Sequence, residues 1–201
     1  MSLKQRRGSK KRSQDFIQKT TAFEKKSCPV MIVFGSGGHT AEMLQLLSSL
    51  SLDRYGPFSY IISRTDSTSE KRAKSSGIVP SSSHFESIPR SREVGQSYFT
   101  AFFMTIWAII VSFELMWRLR PKLLLVNGPG TCLPLCLAAV ILKWLRLLNV
   151  KIVFVESACR VQSLSVTGKI LYYGRLADSV MVQWKLLTKK YPRSEFVGLL
   201  S

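Results

Sequence analysis

The stretch that decides the fold is Val30-Met-Ile-Val-Phe-Gly-Ser-Gly-Gly-His-Thr-Ala-Glu-Met-Leu44, in which an apolar run passes into a glycine-rich turn. The run Val30–Phe34 is rich in β-branched side chains, which is typical of a buried parallel strand. The segment Thr40–Leu50 is predicted to be a helix, because apolar residues recur at helical spacing, at Met43, Leu44, Leu46, Leu47 and Leu50. A strand, a tight turn and a helix in this order indicate the first unit of a parallel α/β sheet.

The rest of the chain repeats this alternation of strand-like and helix-like segments. Further strands are predicted at Phe58–Ser63, Phe85–Ile88, Lys122–Val126, Lys151–Val155, Ser179–Val182 and Phe196–Leu199. Helices are predicted at Val94–Leu119, Thr131–Leu148, Val166–Leu176 and Lys185–Lys190, and the polar residues 64–83 indicate a loop or a poor helix. The pattern predicts α/β architecture with a single doubly wound parallel sheet, and 201 residues suffice for one such lobe but not two.

The chain is strongly basic, with 29 Lys and Arg against 12 Asp and Glu and a formal net charge of +17. This balance implies an anionic partner, which from charge alone is a nucleic acid, an anionic membrane or a phosphorylated substrate. Residues 1–29 are basic and poor in large apolar side chains, so we predict a disordered or weakly helical segment there and a folded lobe at 30–201. This segment lacks the apolar core of a signal peptide or membrane span, which leaves solubilising, membrane-surface and nuclear-targeting roles open.

The predicted helix at Val94–Leu119 is unusually apolar and aromatic. Its most apolar part, Tyr98–Phe113, is shorter than the ~20 residues that a spanning helix needs. Basic residues flank it on both sides, at Arg90, Arg92, Arg118, Arg120 and Lys122. The helix is therefore expected either to be buried in the core or to lie in a membrane interface.

Metal chemistry is not expected in this chain. The four cysteines form no C-x-x-C pair, which argues against zinc and dithiol redox sites, and Cys132 and Cys136 are expected to be core thiols. No Asp-x-Asp sequence occurs, so a metal-bridged nucleotide-sugar site is not expected either.

Three of the predicted strands end in polar or glycine-rich sequences. These are Gly35-Ser-Gly-Gly-His-Thr40, Asn127-Gly-Pro-Gly-Thr131 and Glu156-Ser-Ala-Cys-Arg160. In an open parallel sheet, ligands bind at the carboxyl ends of the strands. Glycines let backbone N–H groups approach a ligand closely, and a helix start adds partial positive charge. Together the three ends predict one shared site for a phosphate or diphosphate.

The first glycine turn departs from two well-known nucleotide-binding patterns. It lacks the Gly-Lys-Ser/Thr sequence of a Walker A loop. It also carries Thr40 at the third glycine position of the dinucleotide fingerprint, and Arg64 replaces the acidic residue expected after the second strand, with Asp66 slightly late. An NAD(P)-binding oxidoreductase of the Rossmann type is therefore kept as the alternative function.

Two residues at these strand ends are candidates for chemistry. His39 is either a general base or a hydrogen-bonding residue at the helix start; its unperturbed pKa near ~6.5 suits a base, and a helix N-terminus is expected to lower that pKa. Glu156 is interpreted equally as a base, a substrate contact or a structural anchor paired with Arg160.

The arginines Arg90 and Arg92 are candidates for phosphate contacts or for a solvated loop.

The motifs of this chain resemble those of a known family, the acceptor-side, membrane-recruiting subunits of the two-subunit UDP-N-acetylglucosaminyltransferase of the dolichol pathway. The matching stretches run in the expected order from about Val30 to the end: Phe34-Gly-Ser-Gly-Gly-His-Thr-Ala-Glu-Met, Ile88-Pro-Arg-Ser-Arg-Glu-Val, Val126-Asn-Gly-Pro-Gly-Thr-Cys, Val155-Glu-Ser-Ala-Cys-Arg-Val, Gly168-Lys-Ile-Leu and Val182-Gln-Trp. Their co-occurrence is far more specific than any one motif.

The resemblance implies the Rossmann-like N-terminal lobe of a GT-B glycosyltransferase, akin to the bacterial enzyme that adds N-acetylglucosamine to lipid I. A separate small catalytic subunit would supply the other lobe and bind most of the donor, UDP-N-acetylglucosamine. The inverting complex would act on dolichyl-diphosphate N-acetylglucosamine at the cytosolic face of the endoplasmic reticulum membrane, with the nuclear envelope as an alternative location. No cofactor, metal or nucleic acid partner is implied.

The same resemblance assigns residue roles. The two glycine turns would hold the acceptor's diphosphate, through Gly35, Ser36, Gly37, Gly38, Thr40, Asn127, Gly128, Gly130 and Thr131. His39 is implied as the base for the acceptor's 4-hydroxyl and Glu156 as a further catalytic carboxylate, with Arg90, Arg92 and Arg160 as other candidate contacts. A scaffold that recruits its partner and contributes no catalytic group is the competing hypothesis.

One region departs from the family pattern. Family members commonly begin with a membrane-spanning helix, whereas the corresponding region here is the basic segment 1–29. The apolar helix at 94–119 is therefore expected to take over part of the membrane contact.

Overall fold

The computed structural model describes residues 28–50, 55–89, 98–128 and 130–200, and the side chains of all of these except 98–102. Seven strands are present in these ranges: β1 (Cys28–Val33), β2 (Tyr55–Ser63), β3 (Phe85–Ile88), β4 (Leu123–Asn127), β5 (Lys151–Val155), β6 (Ser179–Val182) and β7 (Glu195–Phe196). The helices are α1 (Gly38–Ser48), α2 (Ser69–Ser75), α3 (Tyr98–Leu119), α4 (Leu133–Trp144), α5 (Val166–Tyr173) and α6 (Lys185–Lys190), with a 3₁₀ turn at Gly130–Cys132 before α4.

All seven strands pair in parallel in one sheet with the order β3-β2-β1-β4-β5-β6-β7. This confirms the predicted doubly wound α/β fold. The strand order reverses between β1 and β4, which are neighbours in the sheet although β2 and β3 separate them in the chain. At such a switch point the connections leave the two strand ends in opposite directions and open a crevice, where ligands of this fold class bind.

The two faces of the sheet carry separate apolar cores. One core receives Met31 and Val33 from β1 and is covered by α3, α4, α5 and α6. The other receives Val30, Ile32 and Phe34 and is covered by α1 and α2. Successive side chains of a strand point to opposite faces, so a strand that is covered on both sides must be apolar at every position. This requirement explains the continuous apolar run that opens the deciding stretch.

The polar residues 64–83, predicted as a loop or a poor helix, contain the short helix α2. The carboxylate of Asp66 accepts hydrogen bonds from the backbone N–H groups of Thr68 (3.1 Å) and Ser69 (3.0 Å) and from the Ser69 hydroxyl (2.5 Å). These bonds satisfy donors that the first turn of a helix leaves without partners. Ala73 is the main apolar anchor of α2 in the core. Capping thus stabilises a helix whose surface is otherwise polar.

Several predicted boundaries differ from the structure, and two of the differences have a clear physical cause. The helix predicted over Thr131–Leu148 begins as a 3₁₀ turn and ends at Trp144, because Pro134 lies in its first turn and Arg146 adopts a positive φ of 58° just after its end. The last strand covers only Glu195–Phe196, instead of the predicted Phe196–Leu199, since Gly198 with a φ of 81° turns the chain away.

Helix α3 is buried on one side only; its location in a membrane interface stays a prediction. One side is buried through Ala108, Ser112, Leu115 and Met116 and packs against α4. The exposed surface of the helix, which we call the α3 face, is mainly apolar: it contains Phe103, Met104, Ile106, Trp107, Ile110 and Trp117, with the charged Glu114 and Arg118 toward its end. Within the described part of the chain, no helix has both the length and the apolar character needed to cross a bilayer.

Candidate functional site

A cavity of about 620 Å³ opens at the carboxyl edge of the sheet, beside the switch point. The structure brings the three polar strand ends together around it. Its lining consists of Gly38, His39, Glu42, Gly128, Gly130, Glu156, Ser157, Cys159, Arg160, Ser165, Val166 and Thr167. Three segments therefore line one cavity: the β1–α1 turn, the turn that follows β4, and the segment that connects β5 to α5.

Side-chain hydrogen bonds hold the β1–α1 turn in place. Gly37 adopts a positive φ of 69°, a conformation that favours glycine, and α1 starts at the next residue. The hydroxyl of Thr40 is buried, donates to the carbonyl of Gly35 (2.6 Å) and lies 2.7 Å from the Ser69 hydroxyl. Arg72 donates to the carbonyl of Gly37 (3.0 Å). These bonds orient the start of α1, with its partial positive charge, toward the cavity.

His39 connects the β1–α1 turn to the end of β4. Its Nδ1 atom lies 2.9 Å from Oδ1 of Asn127 and 3.6 Å from Oε2 of Glu42. Because this ring nitrogen faces Asn127 and not a backbone N–H of α1, His39 does not act as a helix cap. Its side chain is partly exposed and lines the cavity.

Gly128 is required by the position of the His39 ring. A Cβ atom built on Gly128 would lie 2.5–2.8 Å from the Nδ1, Cγ and Cε1 atoms of His39. Gly128 also has a φ of 94°, which strains any residue with a side chain. The second glycine turn therefore leaves space for the imidazole as well as exposing backbone to the cavity.

The pKa of His39 is raised above its ordinary value of 6.5. The Glu42 carboxylate, 3.6 Å from the ring nitrogen, is the largest cause, and burial of the ring opposes it in part. Our prediction that the helix N-terminus lowers this pKa is therefore wrong, because the Glu42 carboxylate one helical turn further along outweighs that effect. The neutral imidazole that a general base requires is favoured only above the raised pKa.

Glu42 was missed by the sequence analysis, yet it joins all three strand ends. Its Oε1 accepts from the Ser157 hydroxyl (2.9 Å) and the Ala158 backbone N–H (2.9 Å), and its Oε2 accepts from Nδ2 of Asn127 (3.0 Å). Burial raises the pKa of Glu42, but the neighbouring His39 ring and the hydrogen bonds from Asn127, Ala158 and Ser157 outweigh it and hold the value at about 2.

This lowered pKa has a defined effect on stability. The folded protein holds the Glu42 proton less tightly than the unfolded chain does, where the ordinary value is 4.5. The stabilisation that Glu42 provides is therefore complete above pH 4.5 and is lost as the pH falls toward 2.

Glu156 has the contacts of a structural anchor. Its Oε2 accepts from the backbone N–H of Ser165 (2.7 Å) and its Oε1 from that of Ser157 (3.1 Å). A Cβ on Gly168 would lie 2.5 Å from the same Oε2, so α5 packs directly on this carboxylate. Burial raises the pKa of Glu156, although these hydrogen bonds partly oppose the shift. Glu156 thus ties the end of β5 to the start of α5, and its catalytic role stays a prediction.

The other predicted residues occupy different positions around the site. Gly38, Gly128, Gly130 and Arg160 line the cavity. Thr40, Asn127 and Thr131 are buried, and the polar groups of Thr40 and Asn127 bond to neighbouring turns. Gly35, Ser36 and Gly37 form the β1–α1 turn itself, and their contact with a ligand stays a prediction. Arg90 and Arg92 lie outside the described residues.

The fold is that of one lobe of the GT-B type. The chain superposes on MurG from Acinetobacter baumannii with a TM-score of 0.60 at 20% identity, covering 84% of this chain and 43% of MurG. It superposes on a UDP-N-acetylglucosamine 2-epimerase from Rickettsia bellii with a TM-score of 0.54 at 14% identity, covering 86% of this chain and 45% of the epimerase. The chain therefore spans less than half the length of either protein.

The particular family follows from closer sequence relatives. Residues 30–200 match the family described as oligosaccharide biosynthesis protein Alg14 like. The chain is 44% identical to the UDP-N-acetylglucosamine transferase subunit ALG14 of Rattus norvegicus, over 87% of this chain and 83% of the rat protein. It is 40% identical to the corresponding subunit of Schizosaccharomyces pombe, over 86% of this chain and 83% of that protein. The chain belongs to the Alg14-like family, as the resemblance of its motifs predicted.

Proposed function

We propose that this chain is the acceptor-binding subunit of an inverting UDP-N-acetylglucosamine transferase, which adds the second N-acetylglucosamine to N-acetylglucosaminyl-diphospho-dolichol. The observation that carries the proposal is the cavity at the switch point, where a glycine-rich helix start and a histidine face one space. Relatives named as UDP-N-acetylglucosamine transferase subunits support the same reaction.

In the proposed reaction, the diphosphate and the sugar of the acceptor contact different parts of the cavity. The diphosphate binds the start of α1 and the backbone at Gly128 and Gly130, with Arg160 as a cationic contact. His39 takes the proton of the acceptor's 4-hydroxyl as that oxygen attacks the anomeric carbon of the donor sugar, and UDP leaves from the opposite side. Backbone N–H groups and arginine meet the charge of the acceptor, so the proposal requires no metal and no cofactor.

The other lobe is assigned to a separate, small catalytic subunit that binds UDP-N-acetylglucosamine. The present fold supplies one lobe, and its cavity opens at the carboxyl edge of the sheet, where a GT-B enzyme closes its site against the second lobe. We therefore expect the purified chain to show no turnover by itself and to gain activity when it is co-expressed with the catalytic subunit. The measurement is transfer to a short-chain lipid-diphosphate N-acetylglucosamine acceptor, and turnover by the chain alone would overturn the division into two subunits.

The oxidoreductase alternative is not favoured. Asp66 is the first acidic residue after β2; its carboxylate is buried and accepts hydrogen bonds from the start of α2, and so is not presented to a ribose. The family match also points to glycosyl transfer. A titration with NADH in which the cofactor fails to bind would exclude this alternative directly.

The α3 face is proposed as the membrane contact that brings the site to its lipid acceptor, on the cytosolic side of the endoplasmic reticulum or of the nuclear envelope. Apolar side chains along one side of a helix can enter the boundary between headgroups and acyl chains. Basic residues border this face: the Arg120 guanidinium lies 4.6 Å from the Trp117 ring centroid and Lys122 lies nearby in the chain, whereas Arg118 is paired with Glu86 (2.9 Å) and Glu114 (3.3 Å). Basic residues near an anionic surface each add up to ~1 kcal/mol of attraction.

Membrane binding should therefore depend on Trp107. We expect Trp107→Asp to weaken binding to anionic vesicles by roughly tenfold or more, because an exposed apolar anchor is replaced by a charge. Phe196→Asp is the matched control. Phe196 is 51% exposed and Trp107 is 52% exposed, but Phe196 lies on the edge strand β7 and not on α3. Vesicle flotation at low and high salt measures both variants. Equal losses for the two variants, or none for Trp107→Asp, would contradict the role of the α3 face.

A further inference from the structure

We propose that Glu42 is a positioning residue that fixes the tautomer of His39 through the side-chain amide of Asn127. The inference rests on the proposed function, in which His39 is the base. Four hydrogen bonds carry it. The Ser157 hydroxyl and the Ala158 N–H each lie 2.9 Å from Glu42 Oε1, Asn127 Nδ2 lies 3.0 Å from Glu42 Oε2, and Asn127 Oδ1 lies 2.9 Å from His39 Nδ1.

The direction of each bond follows from the chemistry of the groups. An ionised carboxylate can only accept, and Glu42 is ionised at neutral pH because its pKa is about 2. Its Oε2 therefore requires the NH₂ group of the Asn127 amide, which turns the amide oxygen toward His39. An oxygen can only accept, so the proton of the neutral imidazole must be on Nδ1 of His39. The tautomer is thus set by a carboxylate that reaches it through an intervening amide.

The consequence for catalysis is at the other ring nitrogen. Since Nδ1 carries the proton and faces Asn127, the lone pair is on Nε2. This is the ring nitrogen that remains available to a ligand in the cavity. After Nε2 has taken the acceptor's proton, the positive ring lies 3.6 Å from the Glu42 carboxylate. Among the described residues, Glu42 on its own helix and Glu156 at the end of β5 raise the pKa of His39, and the cation Arg160 lines the same cavity. Glu42 therefore both orients the base and stabilises the charge it acquires.

The substitution Glu42→Gln should reverse this arrangement while keeping the shape of the side chain. The glutamine oxygen must face the Ala158 N–H, because that backbone donor cannot rotate. Its NH₂ group then faces the NH₂ group of Asn127, and the Asn127 amide must rotate to relieve the conflict. The rotated amide donates to Nδ1 of His39, which moves the imidazole proton to Nε2. A protonated Nε2 cannot act as the base.

The tautomer is measured directly by ¹⁵N NMR of the imidazole rings in the assembled complex, with only this chain labelled. The chain contains two histidines, and His84, with 85% of its side chain exposed, provides an internal reference. At a pH above the raised pKa of His39, where the ring is neutral, we expect Nδ1–H in the wild-type protein and Nε2–H in Glu42→Gln. We also expect kcat to fall by roughly 10- to 10²-fold in Glu42→Gln. The acidic limb of its pH–rate profile should move to lower pH, since the carboxylate that raises the His39 pKa is gone.

Asp178→Asn is the matched carboxylate-to-amide control. Asp178 accepts from Nζ of Lys143 (2.6 Å) and from the backbone N–H of Ile152 (2.9 Å), at the opposite end of the sheet from the cavity. This variant should keep the Nδ1–H tautomer and the wild-type kcat. A loss of kcat that reflects only the replacement of a hydrogen-bonded carboxylate by an amide would appear in both variants.

The outcomes separate the relay from the function on which it rests. An Nε2–H tautomer in the wild-type protein overturns the relay, and this holds even if Glu42→Gln does not fold. An Nδ1–H tautomer retained in Glu42→Gln overturns it as well. A tautomer that switches in Glu42→Gln without any loss of kcat supports the relay and overturns the assignment of His39 as the base.

Discussion

Replacing His39 with alanine is expected to lower kcat of the assembled enzyme by roughly 10²–10⁴-fold and to leave KM for the lipid acceptor almost unchanged. The acceptor hydroxyl would lose the group that removes its proton, whereas the backbone that binds the diphosphate would remain. Steady-state kinetics with a short-chain lipid-diphosphate N-acetylglucosamine acceptor measure the effect, and co-purification of the catalytic subunit shows that the variant has folded.

His39→Asn separates the chemical role of this residue from its structural role. An asparagine amide can occupy the place of Nδ1 and donate to the Asn127 side chain, but it offers no base to the cavity. We expect His39→Asn to have a kcat as low as that of His39→Ala and a higher melting temperature than His39→Ala. His84→Ala is the control, because His84 is exposed and remote from the cavity. A fully active His39→Asn enzyme would move the base to Glu156 or to the partner, and this subunit would then be a scaffold that binds the diphosphate.

The second large effect is expected for Gly128→Ala, which should lower kcat by roughly 10²-fold or more and lower the melting temperature as well. The added methyl group would lie 2.5–2.8 Å from three atoms of the His39 ring, so the ring must leave its position beside Asn127. The positive φ of 94° adds backbone strain of ~1–3 kcal/mol. Kinetics and thermal unfolding of the same preparation measure the two effects.

Gly77→Ala isolates the contribution of backbone strain. Gly77 has a φ of 72°, but a Cβ there would meet no atom within 4 Å, and the residue lies in the turn after α2. The Gly77→Ala substitution should lower the melting temperature without a change in kcat. Wild-type kcat in Gly128→Ala would show that the ring moves aside without cost, which contradicts the geometry we describe for His39.

The fold could be predicted from the sequence because its strongest signals are local. The apolar run at Val30–Phe34 and the helical spacing that follows it specify a strand and a helix within about twenty residues. Helix α2 gave a weaker signal, since its stability comes from capping by Asp66 and not from an apolar stripe. The sequence Asp66-Ser-Thr-Ser-Glu70, with an acidic residue before the helix and another in its first turn, was the available indication.

The candidate site was predictable only in part, for a related reason. Glycine turns and His39 stand out at strand ends, where the fold class places ligands. Glu42 lies within a helix, where a polar residue normally indicates a solvent-facing position. Its hydrogen-bond partners are 85 residues away at Asn127 and 116 residues away at Ala158, so no local pattern announces them. Its position one helical turn after His39 was the only hint of a shared face.

The hydrogen bonds around Glu42 also bear on the order in which the protein folds. A carboxylate that accepts from the ends of β4 and β5 has no native partners until both strands have docked beside β1. These contacts are far apart in the chain, and closing such loops is costly before the contacts form. We expect the glycine turn and α1 to form early as a local unit, and the cavity to form late, in the same step that adds β5 to the sheet. A nascent chain that has not yet reached Glu156 would therefore carry the turn but could not hold the acceptor.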